Sequence, residues 1–259
     1  MECRRPVAVR DLVVRYRDVV AVKGVSFDVG RGEVLAIVGP NGAGKTSVLR
    51  VLAGITPVSG GSVTLCDKVF RSGKVWASNY VSYVPAWPMA DPWARVADVM
   101  AASRYGLSRA FIGLGRDDRE AVLAAAEELG VAQFMGRFFG ELSSGEKKLV
   151  VIAAALARNP RVLLLDEPTT SLDVRNQGVV VGLVRRLASR GVAVVVATHE
   201  LHLVTLYADK VLVLNKGSAI AYGDPGTVLR KEVLEGVYGA ELLEVGGDGL
   251  KVFLPRVQR

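Results

Sequence analysis

Glu33-Val34-Leu35-Ala36-Ile37-Val38-Gly39-Pro40-Asn41-Gly42-Ala43-Gly44-Lys45-Thr46-Ser47 decides how the rest of the chain is read. Gly39 to Thr46 fills all four fixed positions of G-x-x-x-x-G-K-[ST]. Before it stands a short apolar run ending in glycine, the pattern of a buried strand feeding a loop. After it, Thr46–Ala53 places Val48, Leu49, Val51 and Leu52 on a helix that Gly54 closes. Strand, loop and helix form the context this motif needs. The glycines let backbone N–H groups wrap around phosphate oxygens, and the helix N-terminus adds unpaired N–H groups and partial positive charge. Lys45 is expected to reach the β- and γ-phosphates of a nucleoside triphosphate, and the Thr46 hydroxyl to ligate Mg²⁺.

The acidic counterpart lies further along. Val162-Leu163-Leu164-Leu165-Asp166-Glu167 reads as a buried strand with two carboxylates at its C-terminal end, where open α/β sheets bind ligands. Asp166 suits an anchor for Mg²⁺. Glu167 suits a general base polarising the water that attacks the γ-phosphate. Around these two strands, Val7–Val14, Val25–Val29, Ser62–Leu65, Val192–Ala197 and Val211–Leu214 also read as strands. Glu146–Arg158, stopped by Asn159-Pro160, and Gly178–Ser189 read as helices. Short apolar runs alternating with helices predict a parallel sheet covered on both faces. From Trp87 to Gly140 the texture changes to helical stretches, Val96–Arg104 and Asp117–Gly130.

Composition narrows the class. The chain has 259 residues, 50% hydrophobic and 23% charged, with a formal net charge of +7, which excludes intrinsic disorder. Mean hydropathy is +0.30, yet the longest unbroken apolar run is Leu149–Ala157, far short of the ~20 residues a spanning helix needs. The basic N-terminus has no apolar stretch behind it, so no secretory signal is expected. Cys3 and Cys66, read as two isolated thiols far apart in sequence, make neither a zinc site nor a disulfide framework and fit a reducing cytosol. The positive balance permits nucleic acid, membrane surface or anionic ligand without choosing among them.

With these motifs in order, the chain resembles the ATP-binding subunit of ABC transporters over nearly its whole length. Leu142-Ser143-Ser144-Gly145-Glu146 stands where that family has L-S-G-G-Q, after the helical stretch and before the Asp-Glu strand. Physically, Ser143 with Glu146 is also a capping box. Thr198-His199-Glu200 matches the family's switch histidine, Ser171-Leu172-Asp173 its D-loop, and Tyr16 the aromatic residue that stacks on adenine. The resemblance implies an α/β fold, a RecA-like P-loop NTPase core with an N-terminal antiparallel β subdomain and an inserted helical subdomain. It implies one domain: a nucleotide-binding core with β subdomain over 1–86 and 141–220, a helical insertion over 87–140 and a C-terminal tail over 221–259. It implies ATP hydrolysis with Mg²⁺. Tyr16, Gly39, Pro40, Asn41, Gly42, Ala43, Gly44, Lys45, Thr46 and Ser47 contact ATP, and Thr46 and Asp166 hold the metal. Glu167, His199 and Lys45 are catalytic, and Ser143, Ser144, Gly145, Glu146 and Asp173 contact ATP held by a second copy.

The implied partners are that second ATP-binding subunit, separate integral-membrane permease subunits and, for an importer, an extracytoplasmic substrate-binding protein, with no nucleic acid. The implied place is the cytoplasmic face of the membrane. Val174-Arg175-Asn176-Gln177, the tail Ala221-Tyr222-Gly223-Asp224-Pro225 continuing to Val237-Tyr238-Gly239, and Ser103-Arg104-Tyr105 resemble importers of iron–siderophores, cobalamin and haem. A soluble ABC ATPase without a permease and an exporter ATPase are the alternatives. A nucleic-acid motor shares the phosphate loop but needs neither Leu142–Glu146 nor the helical insertion. Two positions depart from the family. Ser144 replaces the first signature glycine, and in Tyr83-Val84-Pro85-Ala86-Trp87 an alanine, Ala86, occupies the place of the Q-loop glutamine.

Overall fold

The computed structural model describes residues 3, 5–73, 80–87, 89–105, 114–247 and 250–256. Parts of the expected helical insertion (88 and 106–113) and of the tail (248–249 and 257–259) therefore lie outside the described residues.

The chain opens with a hairpin, β1 (Val7–Tyr16) and β2 (Val19–Val29), turned at Arg17 in the left-handed region with φ 50°. β3 (Val34–Val38) leads through the phosphate loop into α1 (Lys45–Leu52), followed by β4 (Gly60–Leu65) and β5 (Lys68–Phe70). Strands β2-β1-β4-β5 form a four-stranded antiparallel sheet. Next come β6 (Val81–Val84), α2 (Val96–Ala102), α3 (Arg116–Glu128) and α4 (Ser144–Leu156). The remaining core elements are β7 (Val162–Asp166), α5 (Val174–Ser189), β8 (Ala193–Thr198), α6 (Leu201–Tyr207) and β9 (Lys210–Asn215). β10 (Ser218–Gly223), α7 (Pro225–Val228), α8 (Lys231–Tyr238) and a hairpin of β11 (Leu242–Gly247) with β12 (Leu250–Pro255) complete the chain.

The second sheet has the order β10-β9-β3-β8-β7-β6, parallel throughout except for β10. Its strands are apolar on both faces, as a parallel sheet with both faces covered requires. Period-2 alternation divides them between two cores. Val34, Ala36, Val38, Leu163 and Leu165 face α4 and α5. Leu35, Ile37, Val162 and Leu164 face α1 and the antiparallel sheet. All nine are fully buried, and the eight Val, Leu and Ile side chains among them each contribute about 2 kcal/mol of transfer free energy. β3 and β7 are thus clamped from both sides, and so is β8, with Val194 and Val196 in one core and Val195 and Ala197 in the other.

Helix ends follow local chemistry. Ser143 caps α4, with Glu146 N donating to its Oγ at 3.3 Å and Ser143 N donating to Glu146 Oε2 at 2.7 Å, the expected capping box. α5 starts at Val174 rather than Gly178 because Asp173 caps it, accepting from Asn176 N at 2.7 Å; packing carries the helix across the glycine. Arg104 ties the helical region together, donating from Nε to Asp118 Oδ1 at 2.7 Å and from a terminal nitrogen to Ala157 O at 2.9 Å.

The cysteines correct the sequence reading. Cys3 and Cys66 form a disulfide with Cα atoms 4.4 Å apart. The cause is strand register. Antiparallel pairing of β1 on β4 sets Val7 against Leu65, so the chain before β1 runs alongside the turn after β4. Cys66 N donates to Pro6 O at 3.1 Å and Asp67 N to Arg5 O at 3.3 Å. The argument for a reducing compartment loses its premise. A cross-link spanning 63 positions restricts the unfolded chain by about 4 kcal/mol in the loop-entropy treatment. Dithiothreitol is therefore expected to lower the Tm by about 5–10 °C; calorimetry with and without reductant, with Cys3→Ser as control, measures it, and an unchanged Tm would deny the bond a stabilising role.

Candidate nucleotide-binding and hydrolytic site

The site lies at the C-terminal ends of β3, β7 and β8. Two glycines are needed where the phosphate loop closes on its neighbours. Gly39 has φ 149° and Gly44 φ 105°. A Cβ on Gly39 would stand 2.1 Å from the Leu214 carbonyl oxygen, and one on Gly44 2.6 Å from that of Ala21. No other residue type fits either position without moving backbone. The loop from Asn41 to Ser47, with Ala21 and Glu167, lines a cavity of about 270 Å³.

Lys45 is 6% exposed. Its ammonium donates to Gly39 O at 2.7 Å and Pro40 O at 3.3 Å, and lies 3.9 Å from Glu167 Oε1. Burial lowers its pKa, while the carboxylates of Glu167 and Asp166 push the other way. Asp166 is 1% exposed and accepts from the Thr46 hydroxyl and from the Tyr83 hydroxyl, each at 3.2 Å. Burial raises the Asp166 pKa, the two hydroxyls lower it, Glu167 raises it and Lys45 lowers it. Burial and the facing Asp166 push the Tyr83 phenol up to about 12, so Tyr83 stays a donor throughout the working range.

Glu167 sits one residue beyond β7 with φ 47°, a left-handed conformation that costs a non-glycine residue about 1 kcal/mol or more. Its peptide N–H donates to Ala197 O at 2.8 Å. Oε2 lies 2.8 Å from His199 Nδ1 and accepts from the Thr170 hydroxyl at 3.3 Å. Thr169 and Gln177 both donate to the Glu200 carboxylate, and the Glu200 backbone N–H donates to Thr198 Oγ1 at 3.0 Å. These bonds hold the segment carrying His199 against the turn after β7.

A second cavity, of about 300 Å³, continues from Glu167. Asn41, Ala86, Trp87, Ser144, Lys148, Thr170, Ser171 and His199 complete its wall. The structure thus brings Lys45, Thr46, Asp166, Glu167 and His199 together and sets Ser144 and Ala86 on the same cleft. Tyr16 does not line either cavity; it is partly exposed and its hydroxyl shares a hydrogen bond with Thr56 Oγ1 at 3.2 Å. Asp173 is engaged as the α5 cap. Larger cavities of about 490 and 370 Å³ flank Arg190, near the N-terminal ends of β7 and β8, and contain none of these residues.

Sequence reasoning missed the hydroxyls of Tyr83 and Thr170 and the buried Lys148. Of these, only Lys148 left a signal: four residues before Ile152, it falls on the apolar stripe of its own helix.

Comparison with known proteins shows the family. The profile described as ABC transporter matches residues 22–170, a span from β2 through the phosphate loop to the turn after Glu167. The chain belongs to the ABC transporter family. It is an ATP-binding subunit of that family and an ATPase, with the α/β P-loop fold expected. A profile described as AAA domain, putative AbiEii toxin, Type IV TA system, also matches residues 138–205. The hemin import ATP-binding protein of Thermobifida fusca is 36% identical over 250 residues, covering 95% of this chain and 87% of that protein. The manganese transport system ATP-binding protein of Halalkalibacterium halodurans is 33% identical over 91% of this chain and 93% of its own length. A putative metal-chelate type ABC transporter in an inward-facing conformation superposes with TM-score 0.84 at 27% identity, covering 98% of both chains.

Proposed function

We propose that this ATPase powers import of a metal ion or metal complex, haem or a related chelate among them, through separate permease subunits. The similarity to import subunits over 95% of the chain, tail included, carries this reading. No helix among the described residues is long and apolar enough to cross a membrane, and Trp87, Met89 and Trp93 stand exposed between β6 and α2, an apolar surface suited to a membrane partner's loop. The subunit then works at the cytoplasmic face of the membrane, held there by its permease.

The residues take the following parts. Backbone N–H groups from Gly39 to Ser47 and the Lys45 ammonium hold the phosphates, with Tyr16 against the adenine. Glu167 accepts a proton from the attacking water, with Oε2 held by His199 and Thr170. Lys45 stabilises charge on the γ-phosphate. The exposed start of α4, Ser143 to Glu146, with Asp173, meets ATP held by a second copy.

Thr46 and Asp166 fit a shared magnesium ion: a hydroxyl and a carboxylate at the mouth of the phosphate loop are hard oxygen donors, and Mg²⁺ takes few protein ligands beside phosphate and water. Among the described residues no cluster of three or more His, Cys, Asp or Glu could hold a metal by itself. Held by Thr46 and Asp166, Mg²⁺ would supply positive charge that neutralises the phosphates during transfer.

The Ala86 side chain offers no polar group to this cleft. Ala86→Gln is expected to lower the Mg²⁺ concentration for half-maximal turnover roughly tenfold, the scale of one supporting contact to a metal site, and to change the rate. Titrating ATPase activity with Mg²⁺ reads this; unchanged Mg²⁺ dependence and turnover would show that position 86 has no such role. The import reading itself is tested by purifying the chain with its permease and asking which ligand-loaded binding protein stimulates hydrolysis. Purification without any integral-membrane protein would favour the soluble-ATPase alternative.

A further inference from the structure

Lys148 is 3% exposed, although it stands in a run of two lysines near the start of α4. Its neighbour Lys147 points outward, with its ammonium over the Phe139 ring. Lys148 points inward, and its ammonium donates to the carbonyl of Ala86, to Glu167 O at 3.1 Å and to Pro85 O at 3.5 Å. A lysine ammonium has three donors and no acceptor, and here three carbonyls receive them. Burying such a group is costly unless it is fully bonded. Burial does lower its pKa, against the pull of Asp166 and Glu167. A buried cation bonded to two separate segments fixes their relative position.

Those segments matter to the reaction. One follows β6 and carries Ala86, whose own side chain can bond nothing. The other is the left-handed peptide of Glu167. Ala197 O takes its N–H and Lys148 takes its carbonyl, so the peptide is held at both ends. The same helix carries Ser144 one turn earlier, on the cleft wall with Glu167 and His199.

We propose that Lys148 is a positioning residue: it clamps the Glu167 carbonyl to the Ala86 segment and thereby aims the Glu167 carboxylate at the attacking water. The cation supplies in this chain a tie between the post-β6 loop and the hydrolytic strand that Ala86 cannot make. Displacement of the α4 start is then transmitted to Glu167 through one side chain. The inference rests on Glu167 as the general base, and the test separates the two.

The full-length ATPase is assayed with Mg·ATP for kcat and KM, in steady state and single turnover, with Lys148→Met, Lys148→Gln, Glu167→Gln and each Lys148 variant combined with Glu167→Gln. Lys148→Met is expected to lower kcat at least about tenfold with KM within about twofold, because misplacement by about an ångström costs rate rather than affinity. Lys148→Gln, which keeps two N–H donors, recovers part of the loss. In the Glu167→Gln background neither variant lowers the residual single-turnover rate further, since no base remains to be aimed. A kcat within twofold of wild type for a folded Lys148→Met overturns the proposal. So does an equal further loss in both backgrounds, which marks a purely structural role. Should Lys148→Met not fold, the same pair of comparisons with Lys148→Gln decides. Undiminished activity of Glu167→Gln alone would instead remove the base on which the proposal depends.

Discussion

Glu167→Gln is expected to abolish steady-state hydrolysis, by at least ~100-fold, while ATP still binds. The substitution keeps the shape and hydrogen-bonding reach of the side chain but removes the lone pair that takes the proton, and general-base contributions run about 10²–10⁴-fold. It also removes a negative charge that faces the γ-phosphate, so the ATP-bound state is favoured. Each chain has one phosphate loop and one exposed α4 start, and with hydrolysis blocked ATP should accumulate between two copies. Phosphate release reads the first effect. Light scattering in saturating Mg·ATP and in Mg·ADP reads the second, with dimer expected only in ATP. A variant that stays monomeric in saturating ATP counts against the two-copy arrangement, and one that turns over within a few-fold of wild type removes Glu167 as the base.

Lys45→Ala should have a comparable effect by a different route. The ammonium sits between the carbonyls of Gly39 and Pro40 and the carboxylate of Glu167, with Asp166 close by. Removing it takes away a charge-assisted bond to phosphate and leaves the buried Asp166 and partly buried Glu167 carboxylates facing an incoming polyanion. A loss of about 3 kcal/mol in binding, roughly 100-fold in Kd, follows from the scale of such bonds, with turnover below detection. Isothermal titration with ATP measures it, and circular dichroism confirms that the variant is folded. An affinity within threefold of wild type would place the phosphates elsewhere.

The legible parts of this protein were those whose chemistry is local. The phosphate loop demands glycines, a lysine and a hydroxyl at fixed spacing, and Asp166 and Glu167 follow a run so apolar that only a buried strand accommodates it. The illegible parts are set by long-range register. β6 is four residues long and split between the two cores, so it carries too little periodicity to stand out. The Cys3–Cys66 bond depends on β1 lying against β4, which spacing along the chain does not reveal. Gly178 looked like a boundary, yet a capping aspartate five residues earlier and the packing of α5 outweigh its poor helix propensity. Lys148 was hidden for the opposite reason. Its neighbours made it look like a solvated charge, and only the turn of the helix sends it inward. Among the matched motifs, Tyr16 is the position whose local geometry says least, since its hydroxyl is engaged with Thr56 and its ring lines neither cavity.

The strand order carries a consequence for how the protein is made. β3 reaches the ribosome's exit early, yet both strands that flank it, β8 and β9, lie far downstream. The antiparallel sheet is complete once Phe70 has emerged and can cover the Leu35 and Ile37 face. The backbone edges of β3 must wait for Asn215, a delay of roughly 10–30 s at about 5–20 residues per second. Throughout that interval a nascent chain displays an apolar strand with two open edges, the form most prone to wrong pairing. Chaperone demand during synthesis should therefore be highest while the ribosome is translating the middle of this gene.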